Sequence, residues 1–408
     1  MTAREYPVFT VTPKAERSLR AGHPWVYGEE VTAVEGAYQN GDMVDVVSNK
    51  GRYLGTGWVN DHSKIRVRII SRNANDTFDE AFFRRRVCYA LNYRKTVMGP
   101  VDYRCCRLIF GEADQFPGLT VDRFENILVT QVLSLGMERR KDWVYRALVE
   151  LLREDGEQID AIYERNDVAI RTLEGLEQGK GFYQMEGLRT DLSGHVTITE
   201  NRIKYDVDYM EGQKTGFFLD QKYNRQAAAK LARGRRVLDC FTHTGAFALN
   251  AAAAGAEHVT AVDVSAFALE LAAENGKRNG LTNLDYKCAD VFDLLTEMAK
   301  EKKCDYDYII LDPPAFTKSR ATAKNAYHGY KEINRKAMRL LPRGGYLATC
   351  SCSHFMTDEM FRKMLQEAAL DAGVTLRQIE ARQQAPDHPI LPEVPETDYL
   401  KFYLLQVV

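Results

Sequence analysis

The sequence predicts an α/β chain with three parts: an N-terminal small β barrel, a central α+β domain and a C-terminal Rossmann-like domain. Three observations carry this. Residues 235–265, RRVLDCFTHTGAFALNAAAAGAEHVTAVDVS, place two short apolar runs, each ending in an aspartate, on either side of an alanine-rich stretch. Residues 41–72, GDMVDVVSNKGRYLGTGWVNDHSKIRVRIISR, alternate apolar and polar side chains between frequent glycines. At 408 residues the chain exceeds one ordinary core, so two or three domains are expected, with boundaries at 1–72, 73–192 and 193–408.

Composition narrows the function classes. A net charge of −2 gives no global field toward nucleic acid, so any RNA contact must use local basic patches. No apolar run reaches the length of a membrane helix, and the start is too polar for a secretory signal, which predicts a cytoplasmic protein. The eight cysteines are scattered without repeated C-x-x-C spacing, so no metal site is expected.

In chain order, residues 13–21 read as a short helix, followed by the turn Gly22-His23-Pro24 and the aromatics Trp25 and Tyr27. The runs up to residue 72 are strands of a barrel. Lys64, Arg66 and Arg68 alternate with Ile65, Val67 and Ile69, so one strand presents a basic stripe, either RNA-facing or merely solvated. Residues 78–97 are a helix with Phe82, Phe83, Val87, Ala90 and Leu91 at helical spacing. RCCRLIFGEAD and LTVDRFENILVTQVLS, joined by Phe116-Pro117-Gly118, read as a hairpin. Residues 138–153 are a helix, and DAIYERNDVAIRTLEG returns as strand. By exclusion, this central part suits substrate recognition.

Two strands, a polar loop and a helix beginning near Asp220 lead into the nucleotide unit. The loop holds Lys214, Thr215, Phe217 and Phe218, whose rings could face a cation or simply pack. In the unit itself, residues 237–239 and 258–263 are strands, 246–254 a helix, and Gly255 its stop. Asp263 stands where nucleotide-binding folds put the carboxylate that accepts from a ribose hydroxyl. The intervening turn, residues 240–247, has the single glycine Gly245 instead of G-x-G-x-x-G. A ligand with a ribose and no phosphate is expected, which fits S-adenosylmethionine. Residues 266–279 are the next helix, and LDYKCAD a third strand, after which Asp290 and Val291 would meet the edge and face of an adenine. Residues 308–311 are a buried strand ending on Asp312-Pro313-Pro314, where the prolines fix an extended turn at the sheet's carboxyl edge. The strand in GGYLATCSCSHFM ends near Cys350-Ser351-Cys352-Ser353.

From Ile109 onward the chain resembles the ribosomal RNA cytosine-5 methyltransferases that carry a PUA domain, a central α+β domain and a class I methyltransferase domain. The matching pieces are FGEAD, PGLTVDR, YERNDVAIRTLEGL, KTGFFLDQ, DCFTHTGAF, VDVS, DVFDLL, LDPPAF, CSCSHFM and AGVTLRQIEARQQAPDHPILPEVPETDYLK, in that order. The resemblance implies S-adenosylmethionine held by Phe218, Asp239, Phe241, Thr242, Gly245, Asp263, Ser265, Asp290, Val291 and Asp312, with Cys352 as nucleophile. It implies as partners large-subunit ribosomal RNA or its assembly intermediate, and a second copy of the chain, with no membrane. Ala315 departs from the pattern, because close relatives carry lysine after the two prolines.

Such chemistry needs these residue types. Carbon 5 of cytosine is too electron-poor to take a methyl group unaided, so a thiolate must first add to carbon 6. Cys352 could do this while Asp312 hydrogen-bonds nitrogen 3 and takes up the developing charge. The base that removes the carbon 5 proton is not named by the sequence. Cys350, two residues back on the same face, is expected to be a buried thiol. Phe316 and His388 are weaker substrate-contact candidates, and His388 suits a structural turn equally. Two other readings stay open: methylation of a base nitrogen by the Asp312-Pro-Pro loop, and a non-catalytic ribosome-assembly factor.

Overall fold

The computed structural model describes residues 5–301, 305–317 and 319–408; Cys304 and the first four residues of the polar start lie outside them. Its contacts divide the chain into two compact units where the sequence suggests three parts. The first runs to Ile198 and adds Val207–Leu219 and Pro386–Thr397; the second comprises Thr199–Asp206, Asp220–Ala385 and Asp398–Val408.

The first unit opens with a six-stranded sheet made of Val8–Val11, Trp25–Tyr27, Val31–Glu35, Met43–Ser48, Tyr53–Val59 and Ile65–Ser71. Its core gathers the inward residues of these alternating strands, among them Phe9, Val44, Val46, Val67 and Ile69. The helix Pro13–Arg20 starts where Thr12 accepts from the Ala15 N–H at 3.3 Å and Pro13 takes the first helical position.

A five-stranded sheet follows, and here three expectations are corrected. The run after Phe116-Pro117-Gly118 is two strands, Leu119–Phe124 and Ile127–Val132, because Glu125 at φ 55° turns the chain back with Asn126. With Cys105–Phe110 they make a meander instead of one hairpin. The helix expected over 138–153 divides into Leu135–Glu138 and Lys141–Glu154. The strand Ala161–Asn166 ends early, and a 3₁₀ segment, Ala169–Glu174, follows. That segment carries the buried Arg171 and Glu174, whose charges demand partners a strand edge would not supply. Arg171 donates to the Glu177 carbonyl at 2.7 Å and pairs with Glu138 at 3.0 Å. The helix expected from residue 78 spans Glu80–Val97, with Asp79 as its cap, accepting from the Phe82 N–H at 2.9 Å.

The second unit is built on one sheet. Its strands are β1 (Arg236–Cys240), β2 (His258–Asp263), β3 (Leu284–Cys288), β4 (Tyr308–Leu311), β5 (Tyr346–Ser351), β6 (Leu376–Arg382) and β7 (Lys401–Val407). Its helices are α1 (Lys222–Ala229), α2 (Ala246–Ala253), α3 (Ala266–Arg278), α4 (Val291–Glu301), α5 (Ala323–Leu340) and α6 (Asp358–Ala372). The strand order is β3-β2-β1-β4-β5-β7-β6, and β7 is antiparallel to both neighbours.

Alternate residues of the central strands feed two cores. Leu238, Cys240, Ile309, Leu311 and Leu347 face one, and Val237, Val259, Ile310, Ala348 and Cys350 the other. This is why those strands read as continuous apolar runs. The order reverses between β1 and β4, and ligands of such sheets lie beyond the strand ends at that reversal. Asp239 and Asp312 are the carboxylates there: Asp239 pairs with Ile310, and the Asp312 N–H donates to the Cys240 carbonyl at 3.4 Å.

Candidate active site

The turn from β1 to α2 is shaped by its first carboxylate. Asp239 is fully buried; its Oδ2 accepts from the Thr242 hydroxyl at 2.5 Å and the Ala248 N–H at 2.9 Å. These bonds curl the backbone tightly enough that Phe241 (φ 63°) and His243 (φ 50°) take left-handed conformations unusual for side-chain-bearing residues. Gly245 caps α2 at φ 81°, and a Cβ there would lie 2.9 Å from the Ala272 Cβ. Its glycine therefore lets α2 approach α3.

Asp263, at the end of β2, receives the same turn. Its Oδ2 accepts from the His243 N–H and its Oδ1 from the Ser265 N–H, both at 2.9 Å. Ser265 in turn caps α3 by accepting from Ala268 at 3.2 Å. Asp290 caps α4 through the Phe292 and Asp293 N–H groups at 2.8 and 3.1 Å, while its side chain stays exposed and Val291 beside it is buried. Val264, which sequence reasoning missed, is 73% exposed between Asp263 and Ser265. A valine so exposed at a strand end offers a face for a flat ring; the one available signal was its position after the aspartate.

Asp312 stands past β4 in a network that the sequence did not reveal. Gln221 Nε2 donates to its Oδ1 at 3.0 Å, and Asn224 Nδ2 donates to the Gln221 side-chain Oε1 at 2.7 Å. The Cys350 thiol, fully buried on the same face of the sheet, donates to the Asp312 carboxylate. Burial pushes the Asp312 carboxyl up to about 6; the Arg225 charge opposes this and Asp220 adds to it. Burial likewise pushes Asp239 up to about 7, against the Thr242 hydrogen bond and with help from the charges of Asp312 and Asp263. Burial holds the Cys350 thiol well above its ordinary range, so it remains a proton donor.

Cys352 lies just beyond β5, which runs parallel to β4 with Leu311 opposite Thr349. It is partly exposed, unlike Cys350. All seven described cysteines are reduced, and no cluster able to hold a metal ion exists among the described residues. Phe316 joins a chain of rings, 5.8 Å from Phe292 and 4.5 Å from Tyr330, and Phe241 lies 6.5 Å from Phe292.

The remaining candidates belong to the first unit. Lys214 sits over the Phe218 ring at 4.4 Å, and the neighbouring Thr215 hydroxyl donates to Asp122 at 2.5 Å. His388 is buried, with Nδ1 2.9 Å from Asp387 and its ring 5.3 Å from Phe110. Two members of the basic stripe are engaged in ion pairs. Arg66 pairs with Asp61 at 2.7 Å and Arg68 with Glu174 at 2.8 Å, leaving Lys64 exposed.

Residues 9–72 match the PUA-like domain family, and residues 183–405 match the S-adenosylmethionine-dependent methyltransferase family. The ribosomal RNA large subunit methyltransferase I of Pseudoalteromonas atlantica is 40% identical over 401 residues, covering 98% of this chain and 99% of its own. Its namesake from Shewanella denitrificans is 42% identical over 399 residues, covering 97% and 98%. Among solved structures, a Streptococcus mutans protein assigned to the S-adenosylmethionine-dependent methyltransferases superposes with a TM-score of 0.81 at 22% identity, covering 98% of this chain and 100% of its own. A methyltransferase solved with S-adenosylhomocysteine gives a TM-score of 0.82 at the same identity and coverage. At that identity the two structures speak for the fold.

The residues present fit such a cofactor on grounds of their own. Asp239 Oδ1 is buried and has no hydrogen-bond partner among the described residues. A fully buried carboxylate raised toward neutrality calls for a cationic or hydrogen-bond-donating ligand group. S-adenosylmethionine carries an ammonium, a sulfonium and ribose hydroxyls.

Proposed function

This chain belongs to the ribosomal RNA large subunit methyltransferase I family of S-adenosylmethionine-dependent methyltransferases, and from that premise we propose that it forms 5-methylcytosine in large-subunit ribosomal RNA through a Cys352 adduct. The observation that carries the reading is the pairing of a partly exposed thiol with a carboxyl of raised pKa at the ends of adjacent parallel strands.

Asp239 and Asp263 hold the cofactor at the edge of β1 and β2, with Asp290, Val291 and Val264 around its adenine. The cofactor supplies an electrophilic methyl group. Cys352, as thiolate, adds to carbon 6 of a cytosine that is unpaired or flipped from its stack. Asp312, in its protonated form, donates to nitrogen 3 and neutralises the charge that addition places there. Carbon 5 gains the methyl group and loses its proton to a base, and elimination of Cys352 restores the ring. Gln221 and Cys350 aim the Asp312 carboxyl throughout.

This assignment fixes a pH profile. The active form needs Asp312 protonated and Cys352 ionised, a reverse arrangement of the two protons. Activity per unit substrate then rises to about pH 6, the Asp312 value, stays level, and falls above the thiol pKa. Gln221 lowers the Asp312 pKa by donating to the carboxylate, so Gln221→Leu should move the acid limb to higher pH. A kcat/KM profile checks this; an unmoved acid limb would assign that limb to another group.

The adduct is tested by trapping. RNA carrying 5-fluorocytosine at the target has no carbon 5 proton to lose, so the enzyme should stall as a complex that survives denaturation. Cys352→Ser should not form it. A stable complex in the variant would remove Cys352 from the role.

A further inference from the structure

We infer that Lys401 is a positioning residue for Cys352, fixing the turn that carries it and stabilising its thiolate with a buried ammonium. This rests on Cys352 being the nucleophile. Lys401 opens β7, antiparallel to β5, directly opposite Ser351 and so one residue from Cys352. Its Nζ donates to the Ser353 carbonyl at 2.7 Å and to the Tyr399 carbonyl at 2.8 Å, and the residue is only 4% exposed. The Ser353 contact pins the main chain just after the nucleophile.

Burying an ammonium is costly unless its charge is answered. Two carbonyls take two of the three N–H groups. Among the described residues no carboxylate lies within ion-pair distance of Nζ. The charged or titratable groups that act on it are Asp398 in the turn before β7, Asp358 at the start of α6, and Cys352 beyond β5. Asp358 is engaged with the Tyr403 hydroxyl and with Arg362 at 3.0 Å; Asp398, the largest charge acting on Lys401, accepts from Gln383 at Oδ2 at 3.1 Å, while its Oδ1 is buried without a hydrogen-bond partner among the described residues. Cys352 is the member of this set that would gain most from a neighbouring positive charge, because its useful form is the anion. Burial lowers the Lys401 pKa to about 8, against the pull of these three groups, so the ammonium persists at neutral pH.

A lysine that only pinned the turn would leave thiol ionisation untouched, and that is the readout. The rate of alkylation by iodoacetamide against pH, resolved peptide by peptide by mass spectrometry, reports the ionisation midpoint of each thiol. The exposed Cys288 in the same chain is the internal reference. In the wild-type protein the Cys352 midpoint should fall about one unit below that of Cys288, about a tenfold larger thiolate fraction at neutral pH. Lys401→Gln should abolish the difference and Lys401→Arg should keep it, with thermal melts reporting folding. A wild-type midpoint at or above that of Cys288 would overturn the inference, as would a folded Lys401→Gln protein with an unchanged midpoint. Should the glutamine variant not fold, the wild-type and arginine measurements still decide. Methyl transfer plays no part in this readout, so its failure is separate from failure of the 5-fluorocytosine trap.

Discussion

Replacing Cys352 with alanine is expected to lower 5-methylcytosine formation on the order of 10⁴-fold or more while leaving cofactor binding intact. The size of the effect follows from what the thiol supplies. Without addition at carbon 6, carbon 5 has no nucleophilic character for any other residue to enhance, so positioning and the Asp312 hydrogen bond have nothing to act on. The fold should tolerate the change, since Cys352 lies beyond β5 and is partly exposed. Cys350, which donates to Asp312, remains in place. Methyl transfer to RNA, cofactor titration and a thermal melt on the same preparation separate these effects. Retained activity would favour transfer to a base nitrogen, for which the Asp312-Pro313-Pro314 loop suffices without a thiol.

Asp239→Asn carries the second large effect, on the cofactor. Oδ2 is committed to Thr242 and Ala248, so Oδ1 is the atom left for a ligand. Exchanging it for an NH₂ turns an anionic acceptor into a donor facing a cationic or hydroxyl group. A charge-assisted hydrogen bond is worth about 1.5–3 kcal/mol, so affinity should fall between about tenfold and 150-fold. Calorimetry measures it directly.

Stability of the cofactor-free protein should move the other way. The Asp239 carboxyl rises from 3.8 to about 7 on folding. Its protonated form is the one the fold accepts, so that stability is complete below about pH 4 and is lost as pH rises through 7. Asparagine does not titrate. The unliganded variant should therefore melt above the parent at pH 8, by the equivalent of about 2–4 kcal/mol, and close to it at pH 4. Equal melting temperatures at both values would mean that Asp239 is not held near neutrality.

The sheet of the second unit was legible because its residues obey simple patterns. Continuous apolar runs marked β1, β2 and β4, and the aspartates of β1 and β4, Asp239 and Asp312, fell at the reversal of strand order, with Asp263 at the end of the neighbouring β2. The single Gly245 and the Asp312-Pro313-Pro314 turn were readable for the same reason: backbone demands leave residue-type signatures. What escaped depends on distant partners. Gln221 and Asn224 looked like polar helix residues, and only folding brings them to Asp312. Lys401 drew no attention in the sequence, since nothing local says that its ammonium turns inward to Ser353. For the basic stripe, alternation placed Arg66 and Arg68 correctly on the strand but did not show their partners: Asp61, just before the strand, and Glu174, more than a hundred residues away. Residues 169–174 failed as a strand because propensity cannot see that Arg171 and Glu174 must be buried with partners.

The central claim is that this protein makes 5-methylcytosine in ribosomal RNA. It is tested most directly by incubating the purified protein with labelled S-adenosylmethionine and unmodified large-subunit ribosomal RNA, then digesting to nucleosides. Label confined to 5-methylcytosine is the predicted result. Label in a nitrogen-methylated nucleoside, or no transfer to RNA by a protein that binds the cofactor, would contradict it.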